Sequence, residues 1–135
     1  MHPQEKNVAI VREVYEAVKR GDLDAAVANV AADADIELMG PSDIPYAGTY
    51  RGPSGMKKFL ESLMSSAEDF EISHDMIHGS DGHVSVFGHE RGKSKKTGRE
   101  FETRVVDIFE LRDGKISKFF CAYDTDLVAK AFRTT

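Results

Sequence analysis

Apolar residues recur at helical spacing early in the chain and at every second position from about residue 70 onward. Val8, Val11, Tyr15 and Val18 form one stripe, widened by Ile10 and Val14, which predicts an amphipathic helix. Pro3 suits its first turn, where a missing N–H costs nothing. Gly21 ends that helix, and Asp22 can cap a second whose apolar face is Leu23, Ala26, Val27 and Val30. Residues 35–39 alternate Ile36 and Leu38 with Asp35, Glu37 and Met39, the pattern of a short strand. Residues 40–53 hold Gly40, Pro41, Pro45, Gly48, Gly52 and Pro53, a density of turn formers that predicts a loop. Pro53 then opens a third helix with Met56, Phe59, Leu60, Leu63 and Met64 on its face.

Four strands are predicted next: Phe70 to Ile77, Val84 to His89, Phe101 to Leu111 and Ile116 to Tyr123. The turns between them are Gly79-Ser80-Asp81-Gly82, Lys95-Lys96-Thr97-Gly98 and Asp113-Gly114, the last a strong hairpin signal. A final short helix starts at a Thr125 cap and uses Leu127, Val128, Ala131 and Phe132. Helices first and a strand meander afterwards predict an α+β domain, its helices on one face of an antiparallel sheet. A sheet curled around its helices leaves a pocket between the layers. Its outer face, with Val106 and Ile108, must be solvated or paired with a second copy, so a homodimer through that face is expected.

Composition narrows the class. With 135 residues, the chain reads as one domain, 1–135, with room for a core of its own. The net charge of -5 argues against a broad phosphate-binding surface, so no nucleic-acid partner is expected. No apolar run reaches the ~20 residues of a membrane span, and the start lacks a signal-peptide pattern. Cys121 is the single cysteine, which excludes an internal disulfide framework. A cytoplasmic protein with a small hydrophobic ligand is the expectation.

Several strings then point further. They are Gly21-Asp22, Pro45-Tyr46-Ala47-Gly48-Thr49-Tyr50-Arg51-Gly52, Thr97-Gly98-Arg99, Asp113-Gly114-Lys115-Ile116 and Tyr123-Asp124-Thr125. In this order, across nearly the whole chain, they resemble the SnoaL-like and ketosteroid-isomerase-like families of the nuclear-transport-factor-two superfamily. The resemblance implies a cone-like curved, mixed or antiparallel sheet wrapped on about three N-terminal helices, with an internal pocket and commonly a dimer. The superfamily holds isomerases, polyketide cyclases, epoxide hydrolases, dehydratases and non-catalytic binders, so fold alone does not settle function.

Asp107 is the foremost chemical candidate. It shares a strand face with Val105 and Phe109, where a carboxylate is costly unless paired or protonated. Desolvation there raises its pKa and suits it to donate a hydrogen bond to an oxyanion, or to act as base. The string Val106-Asp107-Ile108-Phe109 resembles the ketosteroid isomerase strand that carries a protonated oxyanion-hole aspartate, the standard example of an acid kept neutral at pH 7. The bland alternative is a structural aspartate paired with Arg104, Lys118 or a backbone amide, or one lying on the outer face. The resemblance also marks departures. The family's base falls at Leu38, with Glu37 pointing the other way, and its oxyanion tyrosine falls near Val14, beside Tyr15.

Cys121 stands where the cyclases and epoxide hydrolases of the superfamily carry an aspartate. Arg104 and Asp107, three apart on a strand, face opposite sides, so epoxide opening is not expected. His89, on the strand beside Asp107's, is either a proton shuttle or an outer-face residue. His74 and His78 would stand about 13 Å apart on a strand, too far to share one ion, so no metal site is expected. Tyr46, Phe59, Phe87, Phe109, Phe119 and Tyr123, with Leu38 and Cys121, suit the lining of an apolar pocket, Tyr46 at its mouth. Arg91, Lys93, Lys95, Lys96 and Arg99 surround a hairpin tip and read as a solvated turn. Catalysis by Asp107, Tyr15 and His89 on a polyketide- or steroid-like carbonyl compound, through an enol and without cofactor, is one expectation. A non-catalytic ligand-binding or scaffold protein is the other.

Overall fold

The computed structural model describes residues 2–134. Its elements are α1 (Pro3–Lys19), α2 (Leu23–Ala26), β1 (Val30–Leu38), β2 (Gly48–Arg51), α3 (Gly52–Ser66), β3 (Ala67–Gly79), β4 (His83–Ser94), β5 (Glu100–Arg112), β6 (Lys115–Tyr123) and α4 (Thr125–Phe132). The six strands form one sheet in the order β2-β1-β6-β5-β4-β3. Every pair is antiparallel except β1 with β6, so the curved sheet is mixed. Helix α1 packs on β3 and β4, α3 on β1, β2 and β3, and α4 on β5 and β4. One apolar core lies between helices and sheet. Among the described residues no helix is long and apolar enough to cross a membrane.

The local reasons follow the pattern. Asp22 accepts a bond from the Ala25 N–H at 3.1 Å and starts α2. That helix is a single turn rather than a run to Val30. Val30 pairs with Ile116, and the Ile116 N–H donates to the Asn29 carbonyl at 2.7 Å, so a strand ladder claims this backbone. The first strand therefore begins at Val30 instead of 35. Within the expected loop, β2 forms because its backbone pairs with β1 from Asp35↔Arg51 to Leu38↔Gly48. At the last helix, Asp124 rather than Thr125 is the cap, accepting from the Leu127 N–H at 3.1 Å. Asp113 and Gly114 both have positive φ, 53° and 76°, as the tight hairpin turn requires.

Two features bend the sheet. The β3–β4 register shifts between Glu68 and Glu71 and again between His74 and Met76. Beside the second shift, a Cβ on Gly88 would lie 2.0 Å from the Ser73 carbonyl oxygen. Only glycine lets β3 come this close to β4.

Candidate active site

Alternation places the centre of the site. On β5, Phe101, Thr103, Val105, Asp107, Phe109 and Leu111 are buried on the helix-facing side. Asp107 is 3% exposed, yet it has a partner. The Tyr15 hydroxyl, from the buried stripe of α1, donates to Asp107 Oδ2 at 2.5 Å. Asp107 Oδ1 is buried without a hydrogen-bond partner. Burial pushes the Asp107 carboxyl up to about 6, while the Tyr15 hydroxyl and the cross-strand Cys121 thiol hold it back. Burial, reinforced by the charge of Asp107, drives the Tyr15 phenol well above its ordinary value, so it stays a donor. Burial likewise raises the Cys121 thiol, which argues against a thiolate nucleophile.

Around this pair lies a cavity of about 60 Å³. Leu38, Tyr46, Phe59, Phe109, Phe119, Cys121 and Tyr123 line it together with Tyr15 and Asp107. Phe109 and Phe119 pack tilted at 4.8 Å between ring centroids, and Phe59 stacks on Phe119 at 6.2 Å. Val18, Leu63, Phe70 and Ile72 line both the cavity and a surface groove, so these four side chains stand between the site and solvent.

Two expected residues lie elsewhere. The inward face of β4 carries Val84, Val86, Gly88 and Glu90, so Phe87 and His89 belong to the outer face. Phe87 is 41% exposed, and His89 Nδ1 meets Asp75 Oδ2 at 2.9 Å. Neither reaches Asp107. Tyr46 is 2% exposed, a buried wall rather than a mouth, because its ring packs edge-on to Phe132 at 5.9 Å. Arg104 is exposed on the opposite face from Asp107. The basic hairpin residues are engaged locally: Arg91 with Glu71 at 2.8 Å, and Arg99 with the Lys130 and Arg133 carbonyls at 2.9 Å.

Glu90 is the site residue that sequence reasoning passed over. It is 6% exposed and lines the cavity. Burial, then the charge of Asp107, pushes its carboxyl up to about 8. The signal was present: Val84 and Val86 set an inward parity that Glu90 shares and His89 does not. His74 was also missed as a neighbour of the pair. Its ring lies 4.2 Å from that of Tyr15, its Nε2 is buried without a partner, and burial lowers its pKa.

This fold and its carboxylate-bearing cavity define a ligand-binding class, and the comparisons with known proteins agree. The SnoaL-like domain family matches residues 11–119, and the chain belongs to that family. A nuclear-transport-factor-two-like protein of Burkholderia thailandensis is 30% identical, with 93% of this chain and 96% of that chain covered and a TM-score of 0.85. One from Burkholderia xenovorans is 29% identical over 96% of this chain and 98% of that chain, with a TM-score of 0.83. An epoxide hydrolase of M. tuberculosis shares the fold at 18% identity, covering 96% of this chain and 90% of that chain, with a TM-score of 0.75. No curated protein matches the chain.

Proposed function

We propose that the cavity binds a compact hydrophobic carbonyl compound and that Asp107 moves a proton on it without a cofactor. One observation carries this reading: Asp107 is held by Tyr15 through Oδ2 while Oδ1 has no partner, on the wall of an apolar cavity. Because Tyr15 donates, Asp107 serves as the acceptor, hence as base. Its carboxylate takes a proton from the carbon beside the carbonyl. The C–H electron pair becomes the enolate double bond, and negative charge moves to the oxygen. Return of the proton to another carbon completes an isomerisation with no atom gained or lost. A steroid-sized substrate fits poorly. The cavity of about 60 Å³ is smaller than the ~150 Å³ engineered cavity that takes benzene, so even one ring needs the lining to yield.

The finer reading is a cytoplasmic homodimer with one domain per chain. A free buried Cys121 fits a reducing compartment, and the exposed Met76 and Phe87 fit a covered outer face. A second reading, binding or scaffolding without turnover, draws on Leu38 and Cys121, apolar or inert at places where relatives carry acids.

Exchange of the α-protons of cyclohexanone for deuterium, followed by NMR, separates these readings. The protein is expected to accelerate exchange, with the rate rising as pH passes about 6 and Asp107 ionises. Asp107→Asn should remove ~100-fold or more of the acceleration, and Tyr15→Phe should move the rise to higher pH. Exchange that is indifferent to Asp107→Asn sinks the enzyme reading and leaves the binder.

A further inference from the structure

The cavity has a second set of polar groups that the proton transfer at Asp107 does not use. Asp107 stands opposite Val86 and Cys121, whereas Glu90 stands opposite Thr103, four positions further along both strands. That separates the two carboxyl-bearing backbones by about 13 Å along the strand direction. Tyr123 lies on the Glu90 side, since it pairs with Val105, between Asp107 and Thr103. Tyr46 reaches the same region from the loop before β2, and the charge of Glu90 acts on both phenols.

All three groups are short of partners. The Tyr46 and Tyr123 hydroxyls are buried and make no hydrogen bond. Among the described residues no hydrogen bond reaches the Glu90 carboxyl, although the residue is 6% exposed and lines the cavity. A folded protein seldom leaves two buried hydroxyls unmatched beside a carboxyl that makes no hydrogen bond, and a ligand oxygen would satisfy them. We infer that Glu90, Tyr46 and Tyr123 form a second polar end of the cavity, and that its ligand is a hydrophobic compound with two oxygen functions, one at each end. This rests on the cavity being the ligand site, as in the reading above.

The protonation states agree with an acceptor in the ligand. Burial, then the charge of Asp107, holds Glu90 up at about 8, so it carries a proton at neutral pH. Burial, then the charge of Glu90, raises the Tyr46 phenol. Burial, then nearby Cys121 and Glu90, raises that of Tyr123. Three donors therefore line this cavity, which suits a carbonyl oxygen. The Tyr15–Asp107 pair meets the carbon beside the other oxygen. A site built this way rejects the analogue that lacks the second oxygen, because its buried donors then stay unpaired.

The test compares cyclohexane-1,4-dione with cyclohexanone, which differ by that one oxygen. Dissociation constants come from NMR titration of the wild type, Glu90→Leu and Tyr123→Phe, each checked for native folding. The dione is expected to bind about fivefold more tightly or better, the gain of one net hydrogen bond, and both variants should bring the ratio close to one. Equal binding of the two ketones to the wild type overturns the inference. So does a preference that survives both substitutions, or failure of both ketones to bind. A preference for the dione with exchange indifferent to Asp107→Asn upholds the two-ended ligand and overturns only the assignment of Asp107 as base.

Discussion

Two buried carboxyls in one cavity differ in what surrounds them. Asp107 receives the Tyr15 hydroxyl and stays near 6, whereas Glu90 receives nothing and rises to about 8. Environments that push two acids apart in this way are how one site holds a base and an acid at the same pH. The same shift bears on stability. Glu90 titrates at about 8 in the folded chain against 4.5 ordinarily, so the native state binds the proton more tightly than the unfolded state. Its contribution is therefore fully present below about 4.5 and lost as pH rises through about 8. Glu90→Gln removes that loss. Thermal unfolding of the variant should match the wild type near about pH 4 and exceed it by a few kcal/mol near about pH 8. A constant difference across this range would mean that Glu90 is solvated in the native state.

At the scale of elements, the bend between β3 and β4 shapes the wall that carries Glu90. It depends on Gly88, where a Cβ would meet the Ser73 carbonyl at 2.0 Å, a backbone atom that no rotamer change moves away. Gly88→Ala should destabilise the protein by about 3 kcal/mol or more in urea unfolding, since the strands must separate. Retention of wild-type stability would mean that the sheet flattens freely. The short elements make a related point. Helix α2 ends after one turn and β2 forms among turn formers because β6 and β1 supply backbone partners. No local propensity encodes those partners.

For the whole molecule, the outer face of the sheet remains apolar in part. Phe87 pairs across strands with Met76 and Val106, and Val106 with Ala122, giving one row across four strands. Phe87 is 41% and Met76 55% exposed. In the proposed dimer this row is covered. Sedimentation of the wild type should give a dimer, and Phe87→Glu a folded monomer, because a charge there would be buried unpaired. A monomeric wild type would leave the face to solvent.

The chain's hydrophobic periods carried most of the architecture. The helical stripe of Val11, Tyr15 and Val18, the alternation around Asp107 and the Asp113-Gly114 turn each follow from local sterics and burial, so element type and the inward parity of Asp107 were legible. The resemblance in ordered strings supplied the class. Tertiary structure decided the rest. It turned Tyr15 onto Asp107, although the resemblance placed the family's tyrosine one position earlier. It also set Glu90 inward and His89 outward. Strand parity is a binary choice that only the packed face resolves, and a hydrogen bond between residues 92 positions apart needs the whole sheet and α1 in place. Local sequence determines what each segment can be, whereas long-range pairing determines which side chains share a cavity.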